Sequence, residues 1–117
     1  MLKDKAIEYY QRGYNCSQCI IKACEEEFDL KIASDCYKSL DGVYNGFGIG
    51  STCCVLIACI MIIGIVGDDV AYKRLKMTEG FKKKLGTTEC CIIKNEAGCE
   101  RIITSACEVL SSVLKAE

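Results

Sequence analysis

The chain contains no histidine, no proline and no tryptophan. Without histidine there can be no thiol–imidazole or hydroxyl–imidazole nucleophile pair. Haem ligation through histidine and a Cys-x-x-Cys-His attachment site are excluded for the same reason. The lack of proline disfavours an all-β domain, which normally uses proline in turns and at sheet edges, and is easily accommodated by helices. Neither sign of charge is in excess: the formal net charge is −1 and the densest basic tract is only Lys82-Lys83-Lys84. Together with Lys73, Arg74 and Lys76 this tract reads as a solvated helix face, so no nucleic-acid partner is expected.

What the chain does have is cysteine, eleven of them in 117 residues. That density belongs to disulfide scaffolds, which are secreted, loop-rich and stapled because they lack a core. Here half of the residues are hydrophobic and fall in long runs, and the length suffices for one domain with its own core. The number is also odd, so the cysteines cannot all pair within the chain. Met1-Leu2-Lys3-Asp4-Lys5 is charged and leads into an amphipathic segment rather than a signal peptide. A cytoplasmic setting with reduced thiols is therefore expected, where clustered cysteines mean redox chemistry, metal binding or plain burial.

From Gly42 to Gly67 there is no charge, and the apolar heart of this stretch, 53–66, is fourteen residues long. A membrane-spanning helix needs about 20 residues. The segment upstream is glycine-rich and carries Asn45, Ser51 and Thr52, so it extends the span poorly. The pattern predicts a helix buried at the centre of a bundle, and a membrane-associated helical protein is the weaker alternative.

Around that helix the pattern is helical throughout. A first short helix covers residues 3–12 and ends at Gly13. Asn15 caps a second, with Gln18 three places on to complete a capping box. This helix runs to about Leu30, with Cys16, Cys19, Ile20, Ala23, Cys24 and Phe28 on one face. A third covers Ile32 to Leu40. The glycine-rich run from Asp41 to Thr52 reads as a turn or a place of close backbone approach. It lacks both the Gly-x-Gly-x-x-Gly register and a following Gly-Lys-Ser/Thr, which speaks against a nucleotide loop. Ser51 or Thr52 caps the apolar helix. Asp68 or Asp69 caps the next, which stops at Gly86. Thr87 to Lys94, with Cys90 and Cys91, is a connection. Asn95, Glu96 and Ala97 open the last helix, whose Cys99, Ile102, Ile103, Ala106, Cys107, Leu110, Val113 and Leu114 share one side. With no strand alternation or hairpin signal, the expected fold is all-α: a compact single-domain bundle of about five or six helices around 53–66.

Most of eleven cysteines must be bland, since cysteine packs as a small hydrophobe. Cys24, Cys59 and Cys107 sit mid-helix in apolar rows and are expected in the core. Cys36 sits beside charged residues, and Cys19 and Cys54 each adjoin a better-placed thiol. Cys16 and Cys53 stand at helix starts, where unpaired amides and the helix dipole favour a thiolate. Cys90 is in the last connection and Cys99 in the first turns of the last helix.

These four thiols also carry a resemblance. Gly13-Tyr14-Asn15-Cys16-Ser17-Gln18, a glycine-rich stretch into Cys53, Phe81 and Leu85-Gly86 before Cys90, and Cys99 in a final helix together resemble the C-GCAxxG-C-C family. Its members are small redox-associated proteins defined by four cysteines and a Cys-Gly-Ala-x-x-Gly motif. The resemblance covers nearly the whole chain. In the central motif Cys54 stands for the first Gly, Val55 for the Ala and Ala58 for the second Gly. The resemblance implies a helical fold and a redox role, and hence a redox partner protein.

Four thiolates suit either tetrahedral zinc or an iron–sulfur cluster. The spacings of 37, 37 and nine residues do not match the paired knuckles of a zinc ribbon. Cys16-x-x-Cys19 lacks a second knuckle and reads better as a dithiol at a helix start, with Cys19 as the partner of Cys16. The expectation is a redox protein whose Cys16, Cys53, Cys90 and Cys99 meet in space. They would act as thiols for electron or disulfide transfer or as iron–sulfur ligands. The alternative is a structural helical domain holding zinc or another metal on the same four thiolates.

Overall fold

Among the described residues six α-helices form close to where the periodicity places them: α1 (Leu2–Gln11), α2 (Gln18–Glu27), α3 (Ser34–Ser39), α4 (Cys54–Val66), α5 (Val70–Leu85) and α6 (Cys99–Lys115). The structure is a computed structural model, describing residues 1–90 and 98–115. Among these no strand occurs, only an isolated antiparallel bridge between Thr52 and Glu89. The fold is all-α. Cys91 and the expected helix opening at Asn95, Glu96 and Ala97 lie outside the described residues.

α4 has no charged residue to turn toward water, so it is enclosed by α2, α5 and α6, while α1 closes over α2 and α6. Its buried residues, Cys54, Val55, Leu56, Ala58, Cys59, Ile62 and Ile63, cover a broad face of the helix, and Ile57, Ile60 and Met61 on the other side are half-buried. Each fully buried Val, Leu or Ile contributes about 1.5–3 kcal/mol, and this wrapping holds the bundle together. The burial stops short of the last turn, where Gly64, Ile65 and Val66 are exposed. α3 has no fully buried residue, while α1, α2, α5 and α6 bury one stripe each; that of α6 is Ile102, Ile103, Ala106, Cys107, Val109, Leu110 and Val113. The expected core cysteines Cys24, Cys59 and Cys107 are all buried.

Several boundaries differ from expectation for local reasons. α2 ends at Glu27 rather than near Leu30, because Asp29 takes a left-handed conformation (φ +53°). The Glu25 carboxylate accepts the Ile32 N–H at 2.9 Å, and Ala33 is extended, so α3 begins two residues late. Neither Ser51 nor Thr52 caps α4: the N-cap is Cys53, because 51–53 pairs instead with 88–90. Asp69 is the N-cap of α5, with a left-handed backbone and no side-chain cap bond.

Residues 41–52 are a string of turns. Ser51 N–H reaches back to the Gly46 carbonyl at 3.0 Å. Asn45, Gly46, Phe47, Gly48 and Gly50 all have positive φ. Gly46 is packed so tightly that a side chain has no room, since a β-carbon there would stand 2.6 Å from the Ser51 carbonyl oxygen. The run leaves Phe47 and Ile49 largely exposed.

Candidate thiol site

The site is built at the N-terminal end of α4. Asn15 and Gln18 form the expected capping box: Asn15 Oδ1 accepts the Gln18 N–H at 2.8 Å, and Gln18 Oε1 accepts the Asn15 N–H at 3.2 Å. Helical bonding begins with the Cys19 N–H donating to the Asn15 carbonyl at 3.0 Å. Cys16 is therefore fixed in the first turn leading into α2, buried against α4. From the other side two short segments run together. Cys53 donates its N–H to the Thr88 carbonyl at 2.8 Å, and Cys90 donates its N–H to the Ser51 carbonyl at 2.6 Å. This two-stranded clasp holds Cys90 beside the start of α4, with the Cys90 thiol 3.8 Å from Asn45 Oδ1.

The sulfurs of Cys16 and Cys54 approach to 3.4 Å, with both side chains buried. Position in the sequence favours Cys53 over its neighbour and Cys19 as the second thiol. Cys19 is instead turned onto its own helix, its sulfur donating to the Cys16 carbonyl at 3.1 Å, and it is fully buried. The Cys19 thiol is thus engaged by the backbone of the turn that carries Cys16. Cys54 carried one signal in the sequence, a thiol standing where the motif has glycine.

Electrostatics shows which of the four expected thiols are neighbours. The Cys16 thiol is pushed far above the ordinary cysteine range, first by its contact with Cys54, next by burial, and further by Cys99 and Cys53 nearby. Cys53 is raised only to about 11: burial pushes it up, the Val55 and Leu56 N–H groups at the helix start pull it down, and Cys54 and Cys90 push it up again. Cys16 is therefore grouped with Cys53 and Cys99, and Cys53 with Cys90. Sequence position alone predicts Cys16 and Cys53 as the two most acidic thiols. For Cys53 the helix-start amides pull in the expected direction, but burial outweighs them and its thiol is raised rather than lowered, although less than that of Cys107, which burial lifts to about 12. For Cys16 the expectation fails: the Ser17 and Gln18 amides are already taken by Asn15, and the neighbouring sulfurs and burial prevail.

Tyr10 of α1 joins the site without any motif to announce it. Its phenol is pushed up to about 12, chiefly through its interaction with Cys99, then by burial and by the charges of Cys99, Cys16 and Tyr44. Cys99 is the first residue of α6, behind Gly98 in a left-handed turn (φ +77°).

Among the described residues no three Cys, Asp or Glu side chains form a group that could hold a metal ion. Among the described residues the site is an arrangement of thiols and the Tyr10 phenol. Its capability is that of thiols meeting in pairs. Among the described residues, no helix is long and apolar enough to cross a membrane.

The sequence profile described as "Putative redox-active protein (C_GCAxxG_C_C)" matches residues 14–113, which takes in the whole site except Tyr10. No curated protein and no solved structure matches the chain.

Proposed function

The chain belongs to the C_GCAxxG_C_C family, and on that premise we propose that it is a thiol-based redox protein that exchanges two electrons with disulfides. Cys16, Cys53, Cys90 and Cys99 supply the thiols at the head of α4. The observation that carries this reading is the placement of Cys16: a capped turn sets its thiol against α4, beside the sulfur of Cys54 and within electrostatic reach of Cys53 and Cys99. Core cysteines such as Cys59 also lie within electrostatic reach of other thiols, so it is the direct 3.4 Å sulfur contact that sets Cys16 apart.

The direction of transfer follows from the same chemistry. A strongly oxidising dithiol is one whose reduced form is stabilised by a low-pKa thiolate. Cys16 and Cys53 are both shifted the other way. The reduced state therefore gains no thiolate stabilisation near neutral pH, which speaks against a strong oxidant and supports electron donation to a disulfide on a partner protein or small molecule.

The test is a redox titration of anaerobically purified protein in buffers of reduced and oxidised dithiothreitol, with thiol counting and metal analysis. Reversible loss of two thiols per chain, with no stoichiometric metal, is expected. Stoichiometric iron with visible absorption, stoichiometric zinc, or no reversible loss of thiols would each overturn the reading.

A further inference from the structure

We infer that Cys16 and Cys54 are the pair that closes as the redox disulfide, so that Cys54, at the motif's glycine position, is the second redox thiol of this chain. The inference rests on the thiol-redox reading above and names its working residues. It departs from the four-cysteine pattern, in which Cys53 would be the thiol contributed by α4.

The argument is geometric. A disulfide needs sulfurs about 2.05 Å apart, and these two already stand 3.4 Å apart, in van der Waals contact along the line a bond would take. Cys16 is held by the capping box and Cys54 by the first turn of α4, so the fold holds the two sulfurs at this short separation. Cys53 is placed otherwise. It is the N-cap residue, one position outside the helix, with an extended backbone (φ −63°, ψ 129°). Its sulfur faces the Val55 and Leu56 amides, and its backbone is held in the clasp with Thr88. Adjacent residues at a helix start point in different directions, and here it is Cys54 that points toward α2.

The chemistry balances with a disulfide R–S–S–R as oxidant. The pair loses one proton and its thiolate attacks one sulfur of R–S–S–R. A mixed disulfide forms and R–S⁻ leaves. The other thiol of the pair gives up its proton and attacks the protein sulfur of the mixed disulfide, expelling the second R–S⁻. The Cys16–Cys54 bond forms, the R–S–S–R bond is broken, and the two protons end on two R–SH. Two electrons pass from the protein to the oxidant, and the reverse sequence reduces the protein. Both thiols are buried, Cys16 4% and Cys54 1% exposed, so the mixed-disulfide step limits the rate and favours a small R group.

The test treats the reduced full-length protein with oxidised glutathione, blocks remaining thiols with N-ethylmaleimide, and maps linkages by non-reducing digestion and backbone fragmentation. The expected product joins peptide 13–22 to peptide 39–73, with the bond localised to Cys16 and Cys54. Cys53→Ala retains that product, whereas Cys54→Ala and Cys16→Ala lose it, with folding of each variant checked by circular dichroism. Localisation in the unaltered protein needs no variant and decides the matter even where one fails to fold. A Cys16–Cys53 or Cys16–Cys19 bond overturns the assignment of Cys54 while leaving the redox reading intact. The absence of any reversible disulfide overturns both.

Discussion

Asn15 and Gln18 close on each other across the turn that presents Cys16, each side-chain oxygen accepting the other's backbone N–H. The same Asn15 oxygen also takes the Ser17 N–H at 3.0 Å and the Ser17 hydroxyl at 2.7 Å. The amide groups of Asn15 and Gln18 both donate to the Asp41 carboxylate, each at 3.2 Å. One asparagine thus serves the helix start, the site and the anchor of the glycine-rich run.

Asn15→Ala removes the cap and is expected to cost about 1 kcal/mol, within the usual range of roughly 0.5–2. Because the turn carries Cys16, the variant should also alkylate faster at Cys16 in the native state than the unaltered protein does. Urea unfolding and site-resolved alkylation check the two effects separately. Unchanged Cys16 reactivity beside a lower midpoint would reduce the cap to a purely structural role.

Stability should fall in alkali. Cys53 titrates at about 11 in the fold against an ordinary 9.0, so the folded state holds a proton that the unfolded chain has released. That contribution is fully present below pH 9 and is lost as the pH rises toward 11. For a shift of this size it amounts to on the order of 2 kcal/mol. Cys107 acts in the same direction, its thiol raised to about 12. Denaturation midpoints should therefore be flat from about pH 7 to 8.5 and then decline, and Cys53→Ala should soften the first part of the decline. A midpoint that rises above pH 9 would contradict the burial of these thiols.

The helices were legible because their signals are local. The apolar span of α4, the stripe of α6, the stop at Gly86 and the Asn15–Gln18 box each depend on residues within a turn or two of one another. The choice between Cys53 and Cys54 was not legible. The two are neighbours in sequence, and which one faces Cys16 depends on how α4 is rotated against α2, a matter of packing. The clasp of 51–53 with 88–90 was hidden for a similar reason: it pairs backbone across more than thirty residues and leaves no side-chain pattern. Tyr10 had no signal at all, since its role comes from α1 lying against the start of α6.

Gly46 is the position in the glycine-rich run that cannot accept a side chain. Its φ of +59° is left-handed, and a β-carbon would collide with the Ser51 backbone. Ser51 in turn receives the Cys90 N–H, so displacement there loosens the clasp. Gly46→Ala should cost roughly 1–3 kcal/mol and increase alkylation of Cys53 and Cys90. Gly48→Ala is the control: that position also has positive φ (+78°) but has open space around it, so its cost should be smaller and the two thiols should stay protected. Equal losses from both variants would mean that backbone conformation alone, rather than the contact with Ser51, sets the requirement.

The core cysteines should separate cleanly from the redox pair. Cys59 is fully buried on α4, and its thiol is raised well above the usual range, first by burial and then by the charges of Cys107, Cys24, Cys53 and Cys19. Nothing about it suggests exchange with solvent, and its role is to fill volume. Cys59→Ala leaves a small void and should cost about 1–2 kcal/mol. Cys59→Ser keeps the volume but buries a hydroxyl, a cost of roughly 1–3 kcal/mol that is eased where the hydroxyl bonds the carbonyl one turn back. The serine variant should thus be no more stable than the alanine one, although it is closer in shape. In both variants the two-thiol oxidation by oxidised glutathione should proceed as in the unaltered protein, since neither Cys16 nor Cys54 has been touched. Under native conditions Cys24, Cys59 and Cys107 should resist alkylation together and become reactive together on unfolding. Loss of the oxidation step in Cys59→Ala, with the fold intact by circular dichroism, would move Cys59 from the core into the redox site and would require the assignment of the pair to be redrawn.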